Sequence, residues 1–353
     1  MKIKIEKNKL EQVLNQIVPF TDKKDFSQIT SHILIKANEE NLILKATDKE
    51  IGVKKIIKAK IEEEGTITIN GKKILEIIKT LKNKQVEIKS TNDIITISQD
   101  KSKYTLTSFD YNQFPNFPKE ENLNKLDIKI KTFEQIIKRI FPVIDNNNPK
   151  YELNGALFNL KEKSEFVSTD TKRLAVYKTD INSKEEKIII PKRALSEIKK
   201  ILSDDMEIFF NNIFLIIKNK ETTLFTRIIN GNFPNYEKLI NENTTYKITL
   251  NTKEFLEEIK KIEIISNHIK ITIKNNLIEI ESISDESLKA NTLIEIENTQ
   301  IEEFTFGVNS KYLIEFLNSI DEEKFQILLN TPNTPFILKE NENFLTVVMP
   351  LTI

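Results

Sequence analysis

The sequence predicts an α+β protein of three repeated domains, each made of two β/α/β units. Three observations carry this. An apolar frame at helical spacing recurs six times, a short alternating segment precedes every copy, and one aromatic-proline punctuation appears twice at matching register.

The frames are Leu10-Val13-Leu14-Ile17, Ile74-Ile77-Ile78-Leu81, Phe133-Ile136-Ile137-Ile140, Ala194-Glu197-Ile198-Ile201, Phe255-Glu258-Ile259-Ile262 and Leu313-Phe316-Leu317-Ile320. Residues at i, i+3, i+4 and i+7 share one face of a helix, so each frame predicts an amphipathic helix with that face on a core. Their first positions are separated by 64, 59, 61, 61 and 58 residues. The preceding segments, Ile3-Lys4-Ile5, Ile67-Thr68-Ile69, Ile128-Lys129-Ile130, Ile188-Ile189-Ile190, Ile248-Thr249-Leu250 and Phe304-Thr305-Phe306, alternate or run apolar as strands do. Further strands follow each helix, for example at 85–89, 94–98 and 104–107, with Asn92-Asp93 and Asn275-Asn276 as hairpin turns.

About sixty residues are too few to bury both faces of a sheet, so two units are expected to form one domain, with two helices covering its sheet. The first and third frames start 123 residues apart and the third and fifth 122 apart. Domains are therefore expected at 1–121, 122–244 and 245–353. The junctions coincide with Phe114-Pro115-Asn116-Phe117-Pro118 and Phe233-Pro234-Asn235-Tyr236, where proline ends an alternating run. No linker is long, so the joints should be rigid.

Composition narrows the chemistry. The 353 residues hold 53 Lys+Arg against 53 Asp+Glu and no cysteine, which removes disulfides and thiolate sites and fits a reducing compartment. Six scattered glycines form no phosphate-cradling loop. His32 and His268 have no second histidine at ligand spacing and read as ordinary loop or strand-end residues. No metal, cofactor or catalytic residue is nominated. The opening segment Met1–Glu6 lacks the apolar run of a signal peptide and no stretch has the length of a membrane span, so a cytoplasmic location is expected.

Charge is unevenly placed. The six helical segments hold 17 basic and 8 acidic residues while the whole chain is neutral. The excess lies in the second, third and fourth helices, at Lys72, Lys73, Lys79 and Lys82, then Lys131, Lys138 and Arg139, then Lys192, Arg193, Lys199 and Lys200. Two readings fit: lysine-rich helix surfaces in a lysine-rich chain, or a shared positive face that binds phosphate backbones without reading bases. A sequence-specific DNA-binding protein would need Arg, Asn and Gln at base-reading helix positions, and an enzyme using scattered carboxylates offers no constellation to name.

Local motifs then point to one family. Asn154-Gly155-Ala156-Leu157-Phe158, Ser168-Thr169-Asp170-Thr171-Lys172-Arg173-Leu174-Ala175-Val176, Gly231-Asn232-Phe233-Pro234-Asn235-Tyr236 and Val347-Val348-Met349-Pro350-Leu351 resemble, in order, stretches of the bacterial DNA polymerase III beta subunit, the sliding clamps. The resemblance covers the full chain. It implies a DNA clamp fold and a head-to-tail homodimer ring, with twelve helices lining a hole and sheets outside. It also implies no catalytic site and a function in replication: tethering the replicative polymerase and other DNA enzymes to encircled duplex DNA after loading by an ATP-dependent clamp loader. The implied partners are the polymerase III alpha subunit, the clamp-loader delta subunit and other proteins with a clamp-binding motif.

Residue by residue, the resemblance implies DNA-facing roles for Lys24, Lys72, Lys73, Lys138, Arg139, Tyr151, Lys192 and Arg193. It implies a partner-peptide pocket at Leu153, Thr169, Arg173, Leu174, Pro234, Leu239, Tyr312, Val347, Val348, Met349 and Pro350. It implies a dimer interface in which Lys101, Lys103, Tyr104 and Leu106 meet Ile264, Ile265, Glu295, Glu297, Glu302 and Glu303 of the other copy. This sequence departs from the family pattern where Thr171 and Lys172 replace the usual Gly-His pair, where Lys238 replaces a frequent arginine, and in its Leu351-Thr352-Ile353 tail.

Overall fold

The computed structural model describes residues 1–22, 28–284, 288–297 and 301–353. The first third runs β1 (Lys2–Glu6), α1 (Lys7–Ile17), β2 (His32–Asn38), β3 (Asn41–Thr47), β4 (Ile51–Lys58), β5 (Lys60–Glu63), β6 (Gly65–Asn70), α2 (Gly71–Thr80), β7 (Gln85–Thr91), β8 (Ile94–Gln99) and β9 (Ser102–Thr107). The middle third repeats the order as β10 (Asn124–Leu126), α3 (Ile130–Ile140), β11 (Gly155–Leu160), β12 (Glu165–Thr169), β13 (Arg173–Lys178), β14 (Glu186–Pro191), α4 (Lys192–Ile201), β15 (Glu207–Phe210), β16 (Phe214–Lys218) and β17 (Thr222–Arg227). The last third follows as β18 (Tyr246–Asn251), α5 (Thr252–Glu263), β19 (His268–Lys274), β20 (Leu277–Ser282), β21 (Asn291–Glu295), β22 (Phe304–Asn309), α6 (Ser310–Ser319), β23 (Lys324–Leu329), β24 (Phe336–Lys339) and β25 (Phe344–Val348).

Every helix expected from the apolar frames forms, and the frames face inward except at Ile77, Glu197 and Glu258, which are half-buried. Asparagines just before α2, α5 and α6 start them: Asn70, Asn251 and Asn309 accept from the backbone N–H of Lys73, Glu254 and Lys311. One expected strand is absent. Residues 128–130 are not extended, because the Ile128 amide turns back to the Leu126 carbonyl at 3.0 Å and Ile130 already opens α3. The strand sits four residues earlier as β10, with Leu126 buried and paired to Ile208.

The sheets also differ from the expectation of one sheet per domain. Four antiparallel sheets form, with orders β5-β1-β7-β8-β9, β10-β15-β16-β17-β4-β3-β2-β6, β14-β11-β12-β13-β25-β24-β23-β18 and β21-β20-β19-β22. Each eight-stranded sheet joins half of one repeat to half of the next, through β17 against β4 and β13 against β25. Packing accordingly divides the chain into two compact units, 1–130 with 193–228, and 131–192 with 229–353. Sixty-residue half-repeats have too little core of their own, so the backbone pairs across the repeat boundary.

In the first unit α1 packs on β3, β4 and α2. The connector at 109–120 crosses the eight-stranded sheet, with Phe109 stacked on His32 at 4.1 Å and Phe117 edge-on to Phe225 at 4.9 Å. In the second unit α5 and α6 pack against each other, and Phe255, Ile259, Ile262, Leu313, Phe316 and Leu317 share a core with Val348. Alternate residues of the same sheet, including Leu174, Leu345 and Val347, form a second apolar layer closed by Tyr236, Phe233 and Ile240 of the following connector. Alternation in β13 and β25 therefore puts one set of side chains under the helices and the other under the connector. Tyr236 is pinned there, its hydroxyl donating to Glu165 at 2.6 Å and accepting from Asn159 at 3.0 Å.

Candidate functional site

The residues expected to act on DNA and on partner peptides fall into two sets, cations largely on helices and an apolar groove. Lys24 lies outside the described residues. Lys72 and Lys73 stand exposed in the first turn of α2, with the Lys73 ammonium 3.1 Å from Glu76. Tyr151 is 64% exposed. Lys138 donates to Asp321 at 2.6 Å. Lys192 donates to the Ile144 carbonyl at 2.6 Å above the Phe141 ring, and burial holds its pKa below the usual lysine value. Arg193 pairs with Asp48 and donates to the Pro19 carbonyl at 3.1 Å.

Arg139 corrects the sequence reading. It is 5% exposed, and its guanidinium makes two 3.0 Å bonds to Glu340, one of 3.1 Å to Asp321 and one of 3.5 Å to the Gln135 carbonyl. It also lies 5.0 Å from the Tyr177 ring centre and 5.6 Å from that of Phe344. A guanidinium enclosed in this way has no face left for a phosphate; it braces α3 to the end of α6 and to the β24–β25 hairpin. In α2, α3 and α4 the exposed cations that sequence reasoning left out of the DNA-facing set are Lys79, Lys131, Lys199 and Lys200. Their apolar-frame spacing already put them on outward faces, a signal available before the structure.

The groove is built at the β13–β25 junction. Leu174 pairs with Val347 and Arg173 with Val348, and the Met349 amide extends the ladder to the Lys172 carbonyl at 2.9 Å. The turn entering β13 is fixed by its own side chains. Thr169 Oγ1 donates to the Arg173 carbonyl at 2.7 Å and accepts the Thr171 amide at 3.1 Å, while Asp170 Oδ1 accepts the amides of Lys172 and Arg173 at 3.0 Å. This holds Thr171 at φ 71°, a left-handed conformation that a β-branched residue adopts only under constraint.

Arg173 is a brace, not a free cation. It donates to Asp170 at 2.9 Å and to the Pro142 carbonyl at 2.9 Å, pairs with Glu315 at 2.5 Å and lies 4.5 Å from the Tyr312 ring centre. Burial raises the Tyr312 phenol above its ordinary pKa, which keeps it a neutral wall. Leu174, Val347 and buried Leu153 supply apolar floor and support. Leu239 is 58% and Met349 44% exposed, Pro234 is exposed and Pro350 half-buried. The structure thus brings Thr169, Arg173, Leu174, Tyr312, Val347, Val348 and Met349 into one contact network. Beside it Pro234 lines a cleft of about 390 Å³ with Leu157, Ile189, Phe233 and Tyr236, an opening that the sequence had not indicated.

Of the expected interface residues, Lys101 precedes β9 and Lys103, Tyr104 and Leu106 lie on it, at an open edge of its sheet. Glu295 ends β21, an edge strand of another sheet, and Glu297, Glu302 and Glu303 are exposed beyond it. Ile264 is 83% exposed and Ile265 half-buried.

Comparison with known proteins decides what scaffold this is. Family profiles for the DNA polymerase III beta subunit match throughout: its N-terminal domain at residues 1–118, its central domain at 127–235 and its C-terminal domain at 237–352. The chain belongs to the DNA polymerase III beta subunit family. It is similar to the beta sliding clamp of Helicobacter pylori strain J99, 37% identical over 374 aligned positions covering all of both chains. It is also similar to the crystal structure of the Helicobacter pylori beta clamp bound to a DNA ligase peptide, with a TM-score of 0.93, 37% identity and full coverage of both chains. The Bacillus subtilis clamp structure, 24% identical and covering 100% of this chain and 99% of its own, shares the fold at a TM-score of 0.92.

As a beta sliding clamp it serves DNA replication as a processivity factor of polymerase III and not as a catalyst. Among the described residues no acid and histidine cluster could hold a metal ion, and no helix is long and apolar enough to cross a membrane.

Proposed function

We propose that two copies of this clamp close head to tail into a ring around duplex DNA, each folded as domains 1–121, 122–244 and 245–353, in the cytoplasm. The carrying observation is the strand pairing. β17 of the middle repeat pairs with β4 of the first, and β25 of the last with β13 of the middle, whereas the corresponding β9 and β21 are left at open edges. A β9–β21 contact between copies repeats the same pairing and gives a heterologous interface, the kind that closes rings. Lys101 and Lys103 on one side and Glu295, Glu297, Glu302 and Glu303 on the other are complementary, though exposed pairs contribute only ~0–1 kcal/mol each. Tyr104, Leu106, Ile264 and Ile265 therefore carry most of the affinity.

Lys72, Lys73, Lys138, Tyr151, Lys192 and Arg193, with Lys24, form a diffuse lining that attracts phosphates without reading sequence, as a sliding ring requires. The groove of Leu153, Thr169, Arg173, Leu174, Pro234, Leu239, Tyr312, Val347, Val348, Met349 and Pro350 takes a short extended peptide with bulky apolar side chains. The peptide-bound Helicobacter pylori relative supports this reading. Its occupants are segments of the polymerase III alpha subunit, the delta subunit of the ATP-dependent clamp loader and other clamp-binding proteins.

The test is retention on nicked circular DNA after loading with a matched clamp loader and ATP, followed by gel filtration before and after one restriction cut. Release on linearisation is expected from topological linkage. Equal retention on both forms would replace the ring by ordinary affinity binding.

A further inference from the structure

The first unit contains a second copy of the groove scaffold. The turn entering β4 repeats the turn entering β13 bond for bond. Thr47 Oγ1 donates to the Ile51 carbonyl at 2.8 Å and accepts the Lys49 amide at 2.9 Å, and Asp48 Oδ1 accepts the amides of Glu50 and Ile51 at 3.0 Å. Lys49 sits at φ 79° where Thr171 sits at 71°. The Arg227 amide reaches the Glu50 carbonyl at 2.7 Å, as Met349 reaches Lys172. Gly52 pairs with Phe225 where Leu174 pairs with Val347. The connectors match as well, Phe114-Pro115-Asn116-Phe117 standing for Phe233-Pro234-Asn235-Tyr236.

What differs is the side chains. The Phe225 ring lies so close over Gly52 that a Cβ there would be 2.3 Å from a ring carbon, so the ring occupies the space of the Leu174 side chain. Phe117 from the connector caps Phe225 edge-on at 4.9 Å and Phe214 flanks it at 5.9 Å. The Lys45 ammonium lies 5.2 Å from the Phe117 ring centre and the Arg227 guanidinium 5.2 Å from that of Phe214. In register, exposed Met349 is replaced by Arg227 and exposed Leu239 by Glu120, which pairs with Lys218. Edge-to-face aromatic pairs are favourable arrangements, and charges at the rim remove the apolar handles that a peptide would grip.

We infer that the Phe225 ring, lying over Gly52 and capped by Phe117 of the connector segment Phe114–Pro118, fills this second groove and seals it, so that the first unit is closed to partner peptides. The inference rests on the groove reading of the second unit only for the comparison of the two scaffolds.

The chain has no cysteine, so a single introduced thiol can report the seal. The thiol of the Phe225→Cys variant should react with a thiol reagent at least ~100-fold more slowly than the thiol of the Lys119→Cys variant, and adding Phe117→Ala to Phe225→Cys should raise its rate at least ~10-fold. Equal rates in the two single variants would overturn the seal, and that comparison does not require the alanine variant to fold. A titration of full-length protein with the DNA ligase peptide separates the two claims. One peptide per protomer, abolished by Met349→Asp, is expected. Binding that persists in Met349→Asp at the first unit would overturn the seal. No binding to the unsubstituted chain would overturn the peptide reading alone and leave the thiol rates to decide.

Discussion

Replacing Arg139 by methionine tests whether this residue braces the fold or contacts DNA. The substitution keeps the aliphatic bulk but removes every bond to Glu340 and Asp321. Glu340, with a side chain 1% exposed, would then keep only the Asp321 amide, at 2.7 Å, as partner. Stranding one member of a buried ion pair costs about 3–5 kcal/mol. At roughly 2–4 °C per kcal/mol for a unit of this size, the second unit should melt about 6–20 °C lower. Differential scanning calorimetry measures this directly, and adding Glu340→Leu should recover most of the loss, because an apolar replacement of both partners is near neutral. At temperatures where the variant is folded, retention on nicked circular DNA should match the unsubstituted clamp. A variant that melts within about 1 kcal/mol of the parent yet slips from DNA would refute the brace and return Arg139 to the DNA-facing set.

Burial on the Phe109 ring lowers the His32 pKa from 6.5 to about 4, so the unfolded chain binds the extra proton first. Stability of the first unit should therefore be full above pH 6.5 and fall by on the order of 3 kcal/mol as pH drops to 4, a slope that His32→Phe flattens in urea titrations. Ile264→Lys puts a charge on the proposed contact between copies and should give monomers in sedimentation velocity that are not retained on circular DNA; a persisting dimer would move the interface elsewhere. Thr171→Gly relieves a left-handed β-branched residue worth about 1–2 kcal/mol, partly offset by the freer unfolded chain, so a net gain of up to ~1 kcal/mol is expected in denaturant melts. Tyr236→Phe removes the hydroxyl shared by Glu165 and Asn159 and should lower stability by about 1–3 kcal/mol, read as a shifted urea midpoint.

The six helices were legible because their inward faces recur at fixed spacing; the asparagine caps before three of them are a further signal that the sequence reading did not use. The sheets were not, since period-two alternation tells which side of a strand is buried but not which strand lies beside it. Val53 and Leu224 are neighbours 171 residues apart, and no local pattern encodes that pairing. The strand expected at 128–130 and found at 124–126 shows the same limit on a smaller scale, with apolar residues at 126, 128 and 130 allowing either placement and the turn at Ile128 choosing one. In the groove, the exposed apolar positions Leu239 and Met349 came only through family resemblance, because Val347 to Met349 alone reads as ordinary core. Arg139 entered the DNA-facing set through the family resemblance, whereas its place in the last turn of α3 turns it onto Glu340, a partner 201 residues away that no local pattern announces. The repeated Thr-Asp pair at 47 and 169 was visible in the sequence, but only its hydrogen bonds give it meaning.

Sheets that run half a repeat out of phase with the polypeptide impose an order on synthesis. When the first repeat leaves the ribosome, β4 has no neighbour on its outer side until β17 emerges, and at about 5–20 residues per second that interval lasts roughly 9–34 s. A bare apolar edge would collect other nascent chains during that time. β4 carries Lys54, Lys55 and Lys58, with Lys60 just beyond, so the waiting edge is the most cationic strand of its sheet. Burial in the finished sheet lowers the pKa of Lys55, so the solubility this lysine gives the nascent chain is kept at the expense of desolvating it in the mature clamp.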